Sequence, residues 1–418
     1  MLLCMVTALQ VRGQEQPAST EPLTEEMTTE TQPIAPTLKR YNIPWGSGGL
    51  NLSLGFRGVY VDNVFLTHTD TRDDFVLIPE FDAAAFFPIG QSNTIVIDVG
   101  IAYDYYTKNT SLNSSAPLIN PNSEIAFNVR SGDFTFRPSE KFSYQESPVY
   151  DYGGQFFNVY NSGRFARYDN LVGLLVTWNQ HDLVTSAGYF HENLLANGST
   201  YNYIDHASEV FNADAILAVN PWLKTGIEGF GSINSFDNTP LYDTWRARVG
   251  PTFRITPSRF IKIRLGAGYE HIEYDSSEAP AFGLQAENTY YAYGSIEHQI
   301  NQFMSHTLEA SHDNQLGFNA ANLEGTHVSY YFTWHPRQRL TLSPRVSVSW
   351  YDESFGSSAS AALYHEKFTY VLAGFSAVYE FDKHWQSRLS WDYRVKDSDI
   401  VADGYDQNQV ALEILYRF

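Results

Sequence analysis

The last ten residues of the chain, Gln409 to Phe418, alternate strictly between two kinds of side chain. Successive side chains of a β-strand point to opposite faces of a sheet, so this segment predicts a strand with two different faces. The polar face includes Glu413 and Arg417. The apolar face carries Val410, Leu412, Ile414, Tyr416 and Phe418. Because no further sequence follows to cover the apolar face, we expect lipid to cover it, as in the closing strand of an outer-membrane β-barrel.

The composition of the chain agrees with a barrel that spans a membrane. Aromatic residues make up 15% of the sequence, which suits strands and interfacial girdles. No run approaches the roughly 18 consecutive apolar residues that a transmembrane helix needs. The mean hydropathy of −0.31 is typical of a wall with one lipid-facing and one water-facing side. The net charge of −20 argues against nucleic-acid binding, because phosphate contacts require clustered Lys and Arg.

The sequence divides into three predicted regions. Residues 1–14 are short and apolar and resemble a weak or clipped secretory signal, because they lack a positive n-region before the apolar part. Residues 15–46, rich in Thr, Glu and Pro, predict a disordered acidic periplasmic tail. Residues 47–418 are the predicted barrel. The single cysteine, Cys4, lies in the signal, so we expect neither disulfides nor a cysteine metal site in the mature chain.

Segments with a two-residue period recur from Gly48 onward. Clear examples begin at Ile95, Trp245 and Leu340, and in each the apolar side chains alternate with polar, charged or small ones. A soluble β-sandwich buries its inner faces in one core, and charged inward positions on nearly every strand do not fit such a core. They do fit the water-filled lumen of a barrel.

The breaks between these segments alternate between short and long. Bacterial barrels have short periplasmic turns and long extracellular loops, so this alternation assigns the two sides of the membrane. The count predicts an antiparallel up-and-down barrel of about eighteen strands, an even number that returns the C-terminus to the periplasm. The count is weakest over residues 122–161, where Pro138 to Lys141 reads as a turn and Gly132 as a β-bulge. One hairpin more or fewer there would give twenty or sixteen strands.

Aromatic residues fall at two levels, which predicts the two interfacial girdles of a spanning barrel. The residues near short turns are Phe87, Trp178, Trp222, Phe260, Trp334, Phe381, Trp385 and Phe418. The residues near long loops are Tyr60, Tyr103, Tyr105, Tyr269, Trp350, Trp391 and Tyr393. Strands are rich in aromatic residues in any case, but that preference explains their abundance and not their placement.

No catalytic or metal-binding motif is present, so we expect no enzyme activity and no cofactor. The His191-Glu192 pair lacks the second histidine of a zinc protease and lies on a predicted strand. A Ser–His site on the lipid face, as in barrel phospholipases, would need a pair on adjacent strands at one height, which a sequence cannot establish. The acidic run Asp70 to Asp74 lacks the Gly and Glu of a calcium loop and reads as a solvated charge run.

The inward charged positions are the candidate functional set. Opposed basic and acidic rows in a lumen create a transverse field and set ion preference. The same charges could instead pair across strands and neutralise one another within the wall. With the further inward positions Lys262, Asp214, Glu228, Glu297, Glu309 and Glu380 included, twelve acidic positions stand against nine basic ones, so we predict weak cation preference. The projected pore-lining residues are Arg57, Glu80, Asp82, Asp98, Asp104, Arg246, Arg248, Arg254, Arg264, Glu270, Arg345, Arg388, Asp392, Arg394 and Glu413.

The loop from Tyr150 to Gly163 is the predicted constriction, because its aromatic rings need burial and eighteen strands otherwise leave an open channel. The same rings could form an external cap or contact polysaccharide. The aromatic residues of this loop are Tyr150, Tyr152, Phe156, Phe157 and Tyr160.

The first strand, Val59 to Thr67, resembles the Tyr-x-Asp-Asn-x-Phe opening of the β-barrel porin 2 family through Tyr60, Asp62, Asn63 and Phe65. The likeness continues over Asp74 to Pro79 and Asn93 to Asp98. The resemblance implies a barrel of the Gram-negative outer membrane, sometimes encoded beside exopolysaccharide genes, and it supplies no catalytic residues.

Three functional readings follow. The first is a porin-like channel for small hydrophilic solutes or saccharides, with a link to exopolysaccharide export. The second is a structural or adhesive barrel with an occluded lumen, and the third is a barrel enzyme that processes lipid or glycan. The expected partners are outer-membrane lipid, lipopolysaccharide, a saccharide solute and the barrel-assembly machinery, whose recognition signal the terminal Tyr416 and Phe418 resemble.

Overall fold

The computed structural model describes residues 42–146, 166–198, 202–237, 243–274, 286–315, 322–357 and 363–418. In chain order the strands are β1 (Ile43–Trp45), β2 (Gly48–Val61), β3 (Asp74–Ile89), β4 (Asn93–Ala102), β5 (Tyr105–Tyr106), β6 (Leu118–Ile119), β7 (Glu124–Ser131), β8 (Phe134–Gln145), β9 (Arg167–Gln180), β10 (Leu183–Ala196), β11 (His206–Asn220), β12 (Leu223–Phe236), β13 (Thr244–Ser258), β14 (Ile261–Tyr274), β15 (Glu287–Asn301), β16 (Met304–Gln315), β17 (Asn322–Arg337), β18 (Leu340–Ser357), β19 (Leu363–Glu380), β20 (Trp385–Ser398) and β21 (Tyr405–Arg417). Short 3₁₀ turns lie at Thr110–Leu112, Asn202–Ile204 and Val401–Asp403. No helix in these ranges is long and apolar enough to cross a bilayer.

The strands form one closed antiparallel meander. Eighteen of them, β2 to β4 and β7 to β21, follow one another around the wall, and each pairs with its neighbour in sequence. Closure comes from β2 and β21, which pair from Ser53 with Arg417 to Val61 with Gln409. β5 and β6 lengthen the wall at its extracellular edge by pairing with β3 and β4. The predicted eighteen-strand barrel is confirmed.

Turn positions agree with the predicted alternation except in one hairpin. The predicted turn at Pro138 to Lys141 is wrong, because those residues lie inside β8 and pair with β9. Gly132, predicted as a bulge, is instead in the tight turn between β7 and β8, next to the Ser131–Phe134 pair. Its φ of 60° is one that glycine adopts at little cost, which explains why the chain reverses there. The strand count is unchanged because one turn replaces the other.

Another short turn, between β19 and β20, is fixed by its own aspartate. The backbone N–H groups of His384 and Trp385 donate to Asp382 Oδ1 at 2.7 and 2.9 Å. These bonds favour the charged carboxylate and hold the pKa of Asp382 below its usual range. The turn is therefore held by a group that stays ionised at neutral pH.

The two faces of the wall differ as the alternation predicts. Large apolar side chains on the outer face are exposed, and Leu412 at 52% and Ile227 at 62% are typical. Trp222 and Trp385 stand near short turns on this face, whereas Tyr269 stands near the extracellular end. In a closed barrel every strand edge is paired, so only the apolar surface meets its surroundings, and lipid is the medium that suits it. The chain is a β-barrel of the bacterial outer membrane.

Candidate functional site

The inner face of the wall carries most of the residues projected to line a pore. Directly paired residues of antiparallel strands share a face, so the register assigns each of them. Asp104 is the exception, because it precedes β5 in the break after β4 and lies on no strand. Their role in lining a conducting pore stays a prediction. The inward residues of the set are Arg57, Glu80, Asp82, Asp98, Arg246, Arg248, Arg254, Arg264, Glu270, Arg345, Arg388, Asp392, Arg394 and Glu413.

Several of these charges form ion pairs between strands. Arg57 and Glu80 are 2.9 Å apart, and Arg345 and Asp392 are 2.8 Å apart. Arg388 and Glu413 approach only to 4.0 Å. The interpretation that inward charges pair across strands therefore applies to part of the inner wall. Such pairs fix the height of each charge along the barrel axis.

Two ion pairs lie deeper in the wall. Arg246 Nη2 donates to Glu270 Oε1 at 2.6 Å, and the Glu270 side chain is fully buried. Lys396 and Glu366 are 2.8 Å apart, with side chains 1% and 0% exposed. Lys396 is not among the projected residues, and its partner Glu366 lies on β19, thirty positions earlier in the chain.

Arginine side chains also stack on aromatic rings of the inner wall. The Arg248 guanidinium lies 4.5 Å from the centre of the Phe230 ring, and Arg264 lies 5.3 Å from the Tyr293 ring. Tyr293 can lie close to the wall because Gly266 faces it, where a Cβ would approach the ring to 2.3 Å. Stacking on these rings therefore helps to hold the two guanidinium groups against the wall, in addition to their interactions with other charges.

Charge is distributed unevenly around the inner face. Lys224 is the cross-strand partner of Arg254, which is the partner of Arg264, so three bases form one row on β12 to β14. Asp82 on β3 interacts electrostatically with Asp98 on β4 and with a glutamate of β21. When β2 is counted as the first of the eighteen wall strands, β13 is the tenth, so the two strands stand on opposite sides of the barrel. The basic row and the acidic group therefore lie on opposite walls.

An apolar patch occupies the inner face near the extracellular end of β2, β3 and β21. Its members are buried, and a wet lumen would not bury them without a cover. The cover comes from two loops, through Val64 after β2 and Leu112 after β5. We call these loop segments, Asn63 to Phe65 and Thr107 to Asn113, the mouth insert. The inward wall residues beneath them are Val59, Val61, Val76, Ile78, Tyr106 and Ala411.

One buried carboxylate holds the mouth insert against the wall. Asp74 is 0% exposed and accepts six hydrogen bonds. The backbone N–H groups of Thr107, Lys108 and Asn109 donate at 2.9, 3.0 and 2.7 Å. A further bond comes from its own strand, where the N–H of Phe75 donates at 2.7 Å. The prediction that the whole run Asp70 to Asp74 is solvated is wrong for Asp74.

The exposed edge of the mouth insert carries a positive charge. Lys108 donates a hydrogen bond to the carboxylate of Asp73, and this bond raises the pKa of the lysine. Both side chains are well exposed, so the pair adds little stability. The insert therefore presents a lysine at the mouth while its backbone is tied down by Asp74.

The predicted constriction, with Tyr150, Tyr152, Phe156, Phe157 and Tyr160, lies outside the described residues. The mouth insert was missed because its residues have no period and its apolar members are few. The signal that could have revealed it is the run of inward valines on β2, since a water-filled lumen does not favour them. Among the described residues, no group of three or more His, Cys, Asp or Glu is arranged to hold a metal ion.

Comparison with known proteins gives similarity to outer-membrane channels at low identity. No family model matches the chain. No curated protein matches it either. Solved structures that resemble it include OpdK of Pseudomonas aeruginosa with vanillate, at 10% identity, coverage of 88% of this chain and 99% of the other, and a TM-score of 0.48. A BenF-like porin from Pseudomonas fluorescens Pf-5 has 11% identity, coverage of 88% and 99%, and a TM-score of 0.49. OccD3 (OpdP) of Pseudomonas aeruginosa has 15% identity, coverage of 88% and 91%, and a TM-score of 0.46.

At these identities and TM-scores, the similarities do not bear on solute or mechanism. The resemblance to the β-barrel porin 2 family is not confirmed by a family model. The barrel is identified by the register of its strands and by the difference between its two faces.

Proposed function

We propose that the protein is a channel for small hydrophilic solutes, including saccharides, with its extracellular mouth narrowed by the mouth insert. The observation that carries the proposal is the inner face, which presents charged rows at fixed heights inside a closed barrel. A barrel of 16 to 18 strands is wide enough to leave an aqueous channel. Charged groups facing one another across such a channel act directly on passing solutes.

The two opposed walls carry charges of opposite sign. A solute that passes between the basic row of β12 to β14 and the acidic group of β3, β4 and β21 meets a transverse field. Polar solutes with separated charges or a large dipole align with such a field, whereas apolar solutes gain nothing from it. The proposed substrates are therefore small and polar.

The mouth insert sets the size limit in this proposal. Its apolar side chains fill the sector of the mouth beside β2 and β3. In this proposal, solutes pass along the opposite sector of the wall. Barrel enzymes and exopolysaccharide export have no supporting observation, so neither is proposed.

We also propose two contacts with other components of the outer membrane. The outer face contacts lipid and lipopolysaccharide, and the terminal Tyr416 and Phe418 contact the assembly machinery.

Single-channel recording of the refolded protein in planar bilayers tests the proposal. We expect stepwise conductance, and we expect a variant with Lys108 to Asn113 replaced by two glycines to conduct more. A matched control is a variant with Lys108→Gln, which changes charge at the mouth and leaves the cover in place. A folded, heat-resistant protein that conducts in neither form would contradict the channel and favour a structural or adhesive barrel with an occluded lumen.

A further inference from the structure

The seam between β2 and β21 differs from every other contact in the wall. No turn or loop joins these two strands, and the paired residues are about 350 positions apart in the chain. Their paired ladder runs from Ser53 to Val61 on β2. Beyond Val61 the seam continues through one backbone hydrogen bond, at Asp62, and through side chains.

On one face of the seam, Asp62 binds Asn408. The backbone N–H of Asn408 donates to Asp62 Oδ1 at 2.7 Å, and its side-chain Nδ2 donates to Oδ2 at 2.9 Å. The Asp62 N–H in turn donates to the Asn408 carbonyl at 3.2 Å. Both carboxylate oxygens are therefore committed to one residue of the terminal strand.

On the other face, Asn63 binds the two residues before Asn408. Its Nδ2 donates to the Asp406 carbonyl at 2.9 Å, and Gln407 Nε2 donates to the Asn63 carbonyl at 2.9 Å. Asn63 is 1% exposed and Gln407 is fully buried. Arg394 on β20 donates to Gln407 Oε1 at 3.3 Å, which ties this contact into the neighbouring strand.

We propose that Asp62 and Asn63 form a latch that recognises the incoming terminal strand and fixes its register when the barrel closes. A strand that slips by one residue turns every side chain to the opposite face. A one-residue slip of β21 would also remove Asn408 from Asp62 and leave Gln407 buried without its partner, which is costly. The latch thus favours the correct register at the seam, where neither a turn nor a loop joins the two strands.

This role accounts for the sequence Tyr60 to Phe65. Tyr60 is exposed on the outer face, Asp62 and Asn63 hold the seam, and Phe65 packs against the cluster beneath the mouth insert. A short stretch of chain therefore carries one lipid contact, one closure device and one part of the mouth. The inference does not depend on whether the barrel conducts.

Substitution of the latch tests the inference. We expect D62A and N408A each to shorten the half-life of the folded barrel in detergent at elevated temperature about five-fold or more, because each removes the half-buried hydrogen bonds that hold this end of the seam. The double variant should lose little beyond either single change, and the exchange D62N/N408D should recover most of the loss, because an amide and a carboxylate still face each other. Electrophoretic mobility of heated and unheated samples measures the folded fraction.

N234A is the matched control. Asn234 makes three buried hydrogen bonds at the same end of the barrel, with Ser208, Ser232 and Thr244, but β11 and β12 are joined by a short turn. If D62A and N408A lose no more than N234A, or if the exchanged pair recovers nothing, the latch is refuted.

A disulfide provides a second test if the alanine variants fail to fold. Positions 62 and 408 are joined across the seam by a backbone hydrogen bond. Directly opposed residues in a hydrogen-bonded antiparallel pair have Cα atoms about 5.5 Å apart, which lies within the range of a disulfide. In a chain with Cys4→Ser, we expect D62C/N408C to fold, to crosslink on oxidation, and to lose heat resistance only when reduced. Failure to crosslink in the folded barrel would show that the two positions are not apposed.

Discussion

Asp74 shows how a single side chain can organise a membrane-protein loop. Sequence reasoning could see an acidic run but could not tell which of its carboxylates turns inward, because that depends on the register of β2 with β3, where Asp74 pairs with Val61. The inward residues on the strands were predictable, because a period of two and the apolar outer face define them. Their partners were not, because each lies on another strand at a height that only the register gives.

Replacing Asp74 by asparagine should loosen the mouth insert. An amide nitrogen accepts no hydrogen bond, so at the Oδ1 position it leaves the Thr107 and Lys108 N–H groups without this acceptor, and at the Oδ2 position it leaves the Asn109 N–H without it. We expect a loss of roughly 1–3 kcal/mol in the free energy of unfolding, with greater conductance noise. Denaturant titration and single-channel recording measure the two effects. D73N is the control, and an equal loss in it would contradict the assignment, because Asp73 is exposed.

At the scale of the strands, the predicted elements agree closely with the structure wherever turns are short and polar. The β7–β8 hairpin was misread because Pro138 usually marks a turn, yet here it lies within β8. Gly132 carries the reversal instead, and its left-handed backbone cannot be read from the alternation alone. The mouth insert cannot be predicted from periodicity, because a loop that folds inward has no repeating pattern. Its position depends on the apolar wall residues that it covers.

Removing Phe418 should lower the amount of barrel in the outer membrane without changing conductance per channel. The residue is 41% exposed, its ring contacts Tyr416 edge to face at 5.2 Å, and its N–H donates to the Leu52 carbonyl at 3.2 Å. Quantitative immunoblots of outer-membrane fractions measure the effect. Trp222→Ala removes another exposed aromatic near a short turn and serves as the control. Wild-type levels of the truncated chain would contradict an assembly role for the terminal aromatic.

Deleting the segment from Tyr150 to Gly163 tests the predicted constriction. If its aromatic rings narrow the channel, the variant should conduct more than the wild type, because a wall of eighteen strands leaves an open channel where no loop fills it. Single-channel conductance in symmetric salt is the measurement. Unchanged conductance would assign the narrowing to the mouth insert and leave the loop as an external feature.

Considered as a whole molecule, the barrel places one row of bases opposite one group of acids. The basic row at Lys224, Arg254 and Arg264 stands across from Asp82 and Asp98, although neighbouring ion pairs neutralise much of the rest of the wall. This large-scale separation was not visible in the sequence. Strand order around a closed wall, rather than distance along the chain, decides which groups face one another.

The channel should show a weak preference for cations, because the full set of inward charges predicted from the sequence has twelve acidic and nine basic positions. Reversal potentials in a salt gradient measure it, and they should have the sign of a modest excess of cation current. D82N/D98N should reduce or abolish this preference. K224Q/R254Q, which removes charge from the opposite wall, should increase it. Anion selectivity of the wild-type protein would overturn the prediction.

The meander has a consequence for the order in which the chain folds. Every strand pair except one is local, so hairpins can form and add to one another without large loop-closure costs. Bringing together residues 346 positions apart in an otherwise unstructured chain would cost about 5 kcal/mol of loop entropy, a cost that earlier hairpins remove by curving the sheet. We therefore expect the β2–β21 pairing to form after the other strand pairs. Until it occurs, two bare strand edges are exposed to pairing with other chains.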